Sequence, residues 1–342
     1  MKKRWLAALM AGAMALSMTA CGNSGSDTPA PDAQSDTGDD AAATAGSYNV
    51  GIVQLVQHPA LDRATQGFQD KLTELVEQAG GTVKFDSQNA SGESANCATI
   101  VNGFVSANVD LIMANATPAL QAAQAATEDI PILGTSVTDY GTALGIEGWT
   151  SESTSGTNIS GTTDLAPLDG QAQMLNELFP DANNVGLLFC SAEPNSRYQV
   201  ETIKPFLEDM GYTCTEYSFT DSNDVAAVAQ NAASACDVLY IPTDNTAASC
   251  TEAIANVVLP AKVPVIAGEQ GICEGCGVAS LSIDYYDLGT ATGEMAFEIL
   301  VNGADAGAMP VQPAPVFTKM YNAANCEALG LTMPADYVAI EG

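Results

Sequence analysis

From Tyr48 onward the chain alternates short apolar runs with stretches of helical period, and it does so twice. YNVGIVQLV reads as a strand. Residues 59–78 then carry Leu61, Phe68, Leu72, Leu75 and Val76 at helical spacing and stop at Gly80 and Gly81. TVKFD, a helix over 94–105, DLIMAN, a helix over 118–126 and IPILGTS continue the series. Strand, crossover helix and next strand pack back onto one another in a single hand, so such a series forms a parallel sheet with helices on both faces.

A Ser/Thr/Gly-rich stretch, residues 150–163, separates this series from a second one. There a helix over 169–178 leads to NVGLLFC, a helix over 196–210, TCTEYSF, a helix ending at Ala235, DVLYIP, a helix over 246–258, and VPVIAG. The expectation is an α/β protein of two doubly wound parallel-sheet lobes facing each other across a cleft. The helix over 288–300 is expected to return to the first lobe, and residues 310–315 to cross again. That places 48–163 with 284–310 in lobe 1 and 164–283 with 311–342 in lobe 2.

The first 21 residues, MKKRWLAALMAGAMALSMTAC, are a basic segment, an apolar run and small residues ahead of a cysteine, the pattern of a bacterial export signal. The apolar run is shorter than the ~20 residues that a spanning helix needs. Ser-Met-Thr-Ala-Cys resembles the lipobox of bacterial lipoproteins, with Met18 where Leu is usual. It implies cleavage after residue 20, lipid on Cys21 and anchoring at the extracytoplasmic face of the cell membrane. Residues 21–47 hold no large apolar side chain after the cysteine and read as a flexible tether.

Charge narrows the partners. Ten Lys and Arg stand against 41 Asp and Glu, a formal net charge of −31, which repels a phosphate backbone, so no nucleic acid is expected. Beyond residue 20 only two arginines remain, Arg63 and Arg197, which leaves little to clamp an anion. Eight cysteines follow Cys21, an even number that admits disulfides in an exported chain. Cys273 and Cys276 have CxxC spacing, but no second CxxC follows and His58 is the sole histidine. A local disulfide or two thiols is therefore expected there, with no metal and no cofactor.

In open α/β sheets, ligands bind outside the carboxyl ends of the strands, where helix N-termini and loop amides converge. In lobe 1 those ends supply His58, Thr117, Ser136 and Asp139; in lobe 2 they supply Ser191, Asn195, Ser196, Asp244 and Asn245. Each residue type also caps helices, so what marks a site is their coincidence at one cleft. Asp284, beside Tyr285 and Tyr286, is a further candidate, and with Asp244 could meet an ammonium group. Tyr140, Trp149, Tyr285 and Tyr286 could pack an aromatic ligand or the core.

The segments NVGIVQLVQHPALDRATQGFQDKL, NATPAL with DIPILGTSVTD, LLFCSAEPNSRYQVE, IPTDNTAAS, and VIAGEQG with ASLSIDYYDLGTATGEMA together resemble one family of ABC-transporter substrate-binding lipoproteins. Its better-understood members bind tryptophan, phenylalanine or tyrosine, and the likeness runs from Tyr48 to about Ala335. It implies a type I periplasmic-binding-protein fold with a multi-strand hinge. The protein would be a monomer that closes on a small-molecule ligand and docks on an ABC permease driven by its ATPase. The cysteines are a departure from the family pattern.

On this reading amides and hydroxyls at Thr117, Ser136, Ser191 and Ser196 meet a carboxylate, and nothing is catalysed. A serine hydrolase would need a Gly-x-Ser-x-Gly elbow ahead of a helix and a histidine base, and the chain has no such elbow and one histidine, before the first helix. A glycosidase needs only two carboxylates, so composition leaves it open, but the strand-end loops are mostly hydroxyl and amide. A nucleoside or sugar ligand, or signalling to a membrane receptor, stays open. Sugar is the weaker of these, since Trp149 is the one tryptophan beyond the leader.

Overall fold

The structure, a computed structural model, describes residues 46–150, 152–314 and 316–340. The export signal, Cys21 and all of the tether before Gly46 lie outside them.

The first series folds as β1 (Ser47–Gln54), α1 (Pro59–Gln78), β2 (Thr82–Asn89), α2 (Ser94–Ala107), β3 (Leu111–Asn115), α3 (Thr117–Ala126), β4 (Ile132–Val137), α4 (Tyr140–Leu144) and β5 (Ile159–Thr163). The second is α5 (Leu168–Leu178), β6 (Asn184–Cys190), α6 (Pro194–Asp209), β7 (Thr213–Phe219), α7 (Val225–Ala235), β8 (Val238–Ile241), α8 (Asn245–Ser249), α9 (Thr251–Ala261), β9 (Val265–Ala267), α10 (Gln270–Gly275) and β10 (Ala279–Ser282). After these come α11 (Tyr285–Leu300), β11 (Gln312–Pro313), β12 (Thr318–Tyr321), α12 (Ala323–Leu329) and β13 (Val338–Ala339).

One sheet runs β11-β5-β4-β3-β1-β2 and the other β13-β12-β10-β9-β8-β6-β7. All pairings are parallel except β10 with β12. Strands β3 and β4 are buried along their whole length, as expected of parallel strands covered on both faces. In each lobe the winding direction reverses beside the first strand of its series, between β1 and β3 and between β6 and β8. Ligand crevices of doubly wound sheets open at such reversals.

Three crossings join the lobes: β5 to α5, β10 to α11, and β11 to β12. Helix α11 returns to the first lobe and packs on α1 at very close backbone approach. A Cβ added at Gly67 would lie 2.1 Å from the Tyr286 carbonyl oxygen, and one at Gly289 2.0 Å from that of Ala64. Two of the crossings are tied by Tyr285, whose hydroxyl donates to Asp164 at 3.0 Å.

Two expectations need correction. The lobe boundary set at residue 310 falls too early, because Gln312 and Pro313 pair with Thr162 and Thr163 of the first sheet. Proline is tolerated there because β11 is an edge strand, where a missing N–H breaks no ladder. The single helix expected over 246–258 is two helices broken at Cys250. The Ser249 hydroxyl donates to the Thr246 carbonyl at 2.8 Å, and the Cys250 N–H turns to Ala247 instead, which ends the α-helical ladder.

Candidate functional site

The ends of β1, β3 and β4 face the ends of β6 and β8 across the interlobe boundary. His58 stands at the cap of α1 and is buried, and its Nε2 lies 3.3 Å from Oδ1 of Asn245 in the other lobe. A second bridge runs from Gln199 Nε2 on α6 to Thr138 Oγ1 at 3.4 Å. A cleft of about 310 Å³ opens beside these contacts, lined by Leu55, Val56 and Pro118 on one side and by Ala192, Glu193 and Asn245 on the other. A recess of about 300 Å³, with Asp139, Tyr140, Trp149, Leu165 and Tyr198 on its walls, also draws on both lobes. Tyr140 and Trp149 stack with ring centroids 6.0 Å apart.

Beside Asn245, which meets His58, the other nine sequence candidates divide into three groups. Those in the first are buried and carry a polar atom without a hydrogen-bond partner in the chain: His58 Nδ1, Thr117 Oγ1, Ser136 Oγ and Asn195 Oδ1. Asn115 Oδ1, at the end of β3, is in the same state, and so is Ser280 Oγ on β10. Strain marks the same place. Ala116 sits at φ 89° and Ser136 at φ 52°, conformations that cost a side-chain-bearing residue about 1–3 kcal/mol each.

The second group is buried or half-buried but has its polar atoms in use. Asp244 accepts from Ala247 N at 2.8 Å and from Cys190 N at 2.6 Å, and so caps α8 and ties it to β6. Burial and the nearby Glu193 push its carboxyl up to about 7. Both oxygens hold backbone N–H groups of its own lobe, a role that needs no ligand. The Ser191 hydroxyl donates to the Phe219 carbonyl at 3.0 Å. Ser196 is fully buried and receives a hydrogen bond from Asn195 Nδ2 at 3.3 Å. Asp139 caps α4 through Thr142 N at 2.7 Å and borders the aromatic recess.

Asp284 forms the third group alone. It is half exposed, caps α11 through Tyr286 N and pairs with Arg63 at 3.2 Å. Its place among the expected cleft residues is therefore corrected: a helix start draws in an aspartate whether or not a ligand is near.

Sequence reasoning missed Glu193. It is 4% exposed, and its two oxygens accept from Asn245 N, Asn245 Nδ2, Asn195 Nδ2, Thr246 N and Thr246 Oγ1 at 2.6–3.1 Å. The signal lay inside the loop Cys190–Ser196, where a lone acid precedes Pro-Asn-Ser in an otherwise uncharged strand-end segment. Asp164 was missed as well. Burial holds its carboxyl at about 6 against the pull of Tyr285 and Thr138. Burial likewise lowers the pKa of His58 against the pull of Asn245, Glu193 and Asp62, which favours the uncharged ring.

The eight described cysteines are all free thiols, Cys273 and Cys276 included, and among the described residues no cluster could hold a metal ion. No helix among those residues is long and apolar enough to cross a membrane.

The family profile described as ABC transporter substrate binding protein matches residues 49–340. The chain belongs to that family. Its members bind small molecules for ABC systems on the extracytoplasmic side of the membrane. A relative described as tyrosine-binding protein, from Clostridioides difficile (strain R20291), is 35% identical over 311 residues, 90% of this chain and 87% of its own.

Among solved structures, an ABC domain from Streptococcus pneumoniae in complex with L-Trp matches at 31% identity and TM-score 0.79, covering 84% of this chain and 96% of that one. An open, ligand-free substrate-binding protein with adhesive properties from Clostridium difficile matches at 35% identity but TM-score 0.64, covering 86% and 99%. The overall shape thus lies nearer the complex than the open form, against the order of sequence identity. This agrees with the two interlobe hydrogen bonds. The two-lobed periplasmic-binding-protein fold is common to all three.

Proposed function

We propose that this substrate-binding protein captures an aromatic amino acid, tryptophan, phenylalanine or tyrosine, between its lobes and delivers it to an ABC permease. The observation that carries this reading is the set of orphaned polar atoms on His58, Thr117, Ser136 and Asn195. They come from both lobes and stand at strand ends. An unpartnered buried polar group costs about 1–3 kcal/mol, so four of them in contacting lobes are best accounted for by a small polar ligand that pairs with them. The recess walled by Tyr140, Trp149 and Tyr198 suits a ring, and the relatives described as binding tyrosine and L-Trp support the same class.

The role is capture without catalysis, performed by a monomer. The chain is held at the outer face of the membrane by lipid on Cys21, a reading that rests on the lipobox-like sequence. The lobes, 48–163 with 284–313 and 164–283 with 316–340, turn about the three crossings to admit and release the ligand.

Titration calorimetry with the 20 amino acids tests the assignment, with native mass spectrometry of freshly purified protein for a retained ligand. Binding of one or more aromatic amino acids is expected. The absence of both heat and a thermal shift with all 20 would overturn it. For the anchor, the full-length protein should partition into membranes and its Cys21→Ser variant should not.

A further inference from the structure

Two of the orphaned atoms, Nδ1 of His58 and Oδ1 of Asn195, trace back to one carboxylate. Asn195 turns its Nδ2 toward Glu193 Oε2 at 3.1 Å and the Thr243 carbonyl at 3.1 Å, which leaves its Oδ1 facing away, buried and unpartnered. Asn245 gives its Nδ2 to the same Oε2 at 2.6 Å, so its Oδ1 is the atom that meets His58 Nε2. An amide oxygen only accepts. The hydrogen of the neutral imidazole must therefore sit on Nε2, and Nδ1 carries a bare lone pair with no partner.

We propose that Glu193 is the positioning residue that sets the polarity of the site, orienting Asn195 and, through Asn245, His58 so that both present acceptors to the ammonium group of the bound amino acid. The hydroxyls of Thr117 and Ser136, which can donate, are then left for the carboxylate. This rests on the amino-acid reading above and replaces the expectation that Asp244 or Asp284 meets the ammonium. A carboxylate acts here without touching the ligand, by fixing which face of each amide is shown.

The sole histidine makes the test direct. Protein labelled with 15N-histidine and saturated with L-tyrosine or L-tryptophan, whichever binds tighter, should show one imidazole protonated at Nε2. In Glu193→Ala no acceptor remains to hold the Asn245 and Asn195 amides, both can turn over, and the imidazole should no longer be held as the Nε2–H tautomer. Affinity for the amino acid should fall about tenfold or more, the cost of a hydrogen bond to a charged group. Affinity for the same molecule lacking its amino group, the 3-arylpropionate, should change much less.

Asn245→Ala cuts the relay one step later and keeps the test alive if Glu193→Ala fails to fold; it should abolish the single-tautomer spectrum. An unmoved tautomer, or equal losses for amino acid and arylpropionate, would overturn the relay. Wild-type protein that binds none of tyrosine, tryptophan or phenylalanine overturns instead the function on which the relay rests, and that is read before any variant is made.

Discussion

Nε2 of His58 and Oδ1 of Asn245 stand 3.3 Å apart, although 187 positions separate them in the chain and they belong to different lobes. His58 follows β1 and Asn245 follows β8, so the bond joins the two places where the winding of the sheets reverses. It can exist only when the lobes are together. The same two residues therefore measure closure as well as form part of the site.

Replacing Asn245 by Ala removes this bond and leaves His58 Nε2 buried without an acceptor. The closed form should lose roughly 1–3 kcal/mol, which weakens ligand binding by about 5–150-fold. Calorimetry gives the affinity. Small-angle scattering at subsaturating ligand should show a larger fraction of open molecules than the wild type. Unchanged affinity would mean that the bond contributes nothing to closure.

Thr117→Val keeps the shape of the side chain and deletes a hydroxyl that has no partner in the chain. Stability and binding should then move in opposite directions. Unliganded protein should unfold at the same temperature or a higher one, because an apolar group replaces an unsatisfied polar one. Ligand affinity should drop by about 1 kcal/mol, near fivefold. A parallel loss of both would make Thr117 a structural residue only.

Asp284→Ala tests the residue that the fold places outside the cluster. The variant loses a helix cap and an exposed ion pair with Arg63, which together should cost about 1 kcal/mol of stability. Ligand affinity should stay within twofold of wild type, a range set by roughly 0.4 kcal/mol. A large loss of affinity by calorimetry would return Asp284 to the site.

The contrast between Asp284 and His58 shows what the sequence could carry. Period and punctuation placed strand ends well, because parallel strands are apolar throughout and helix starts are marked by Ser, Thr, Asp and Pro. The candidate loops were legible for that reason. Which member of a loop faces inward was not, since capping and ligand binding draw on the same residue types: Asp244 and Asp284 proved to be caps, while the Thr117 hydroxyl and the Asn195 amide oxygen were left without partners. Glu193 was invisible for a further reason. It acts through contacts within its lobe, and an acid in a chain with 41 of them carries no mark of its own. The break at Cys250 escaped too, because it depends on where one serine hydroxyl points.

The buried carboxyls predict an unusual pH dependence. Burial raises Asp164 to about 6, and Glu269 and Asp244 to about 7. Between pH 4 and 7 the folded protein therefore holds protons that the unfolded chain has released. Stability from these groups is present at the acidic end and is lost as pH rises through that window. At about 1.4 kcal/mol per pH unit of displacement, Asp164 alone accounts for up to about 3 kcal/mol.

Asp164 meets the Tyr285 and Thr138 hydroxyls and lies near Tyr140 and Glu269. Asp164→Asn retains an acceptor for Tyr285 and cannot titrate. Thermal unfolding from pH 5 to 8 should show a falling Tm in the wild type and a visibly smaller fall in the variant. Repulsion among the many exposed carboxylates acts in the same direction in both proteins, so the difference in slope belongs to Asp164. Identical slopes would mean that this carboxyl ionises alike in the folded and unfolded chain, and that the link between the two hinge crossings is not sensitive to its charge.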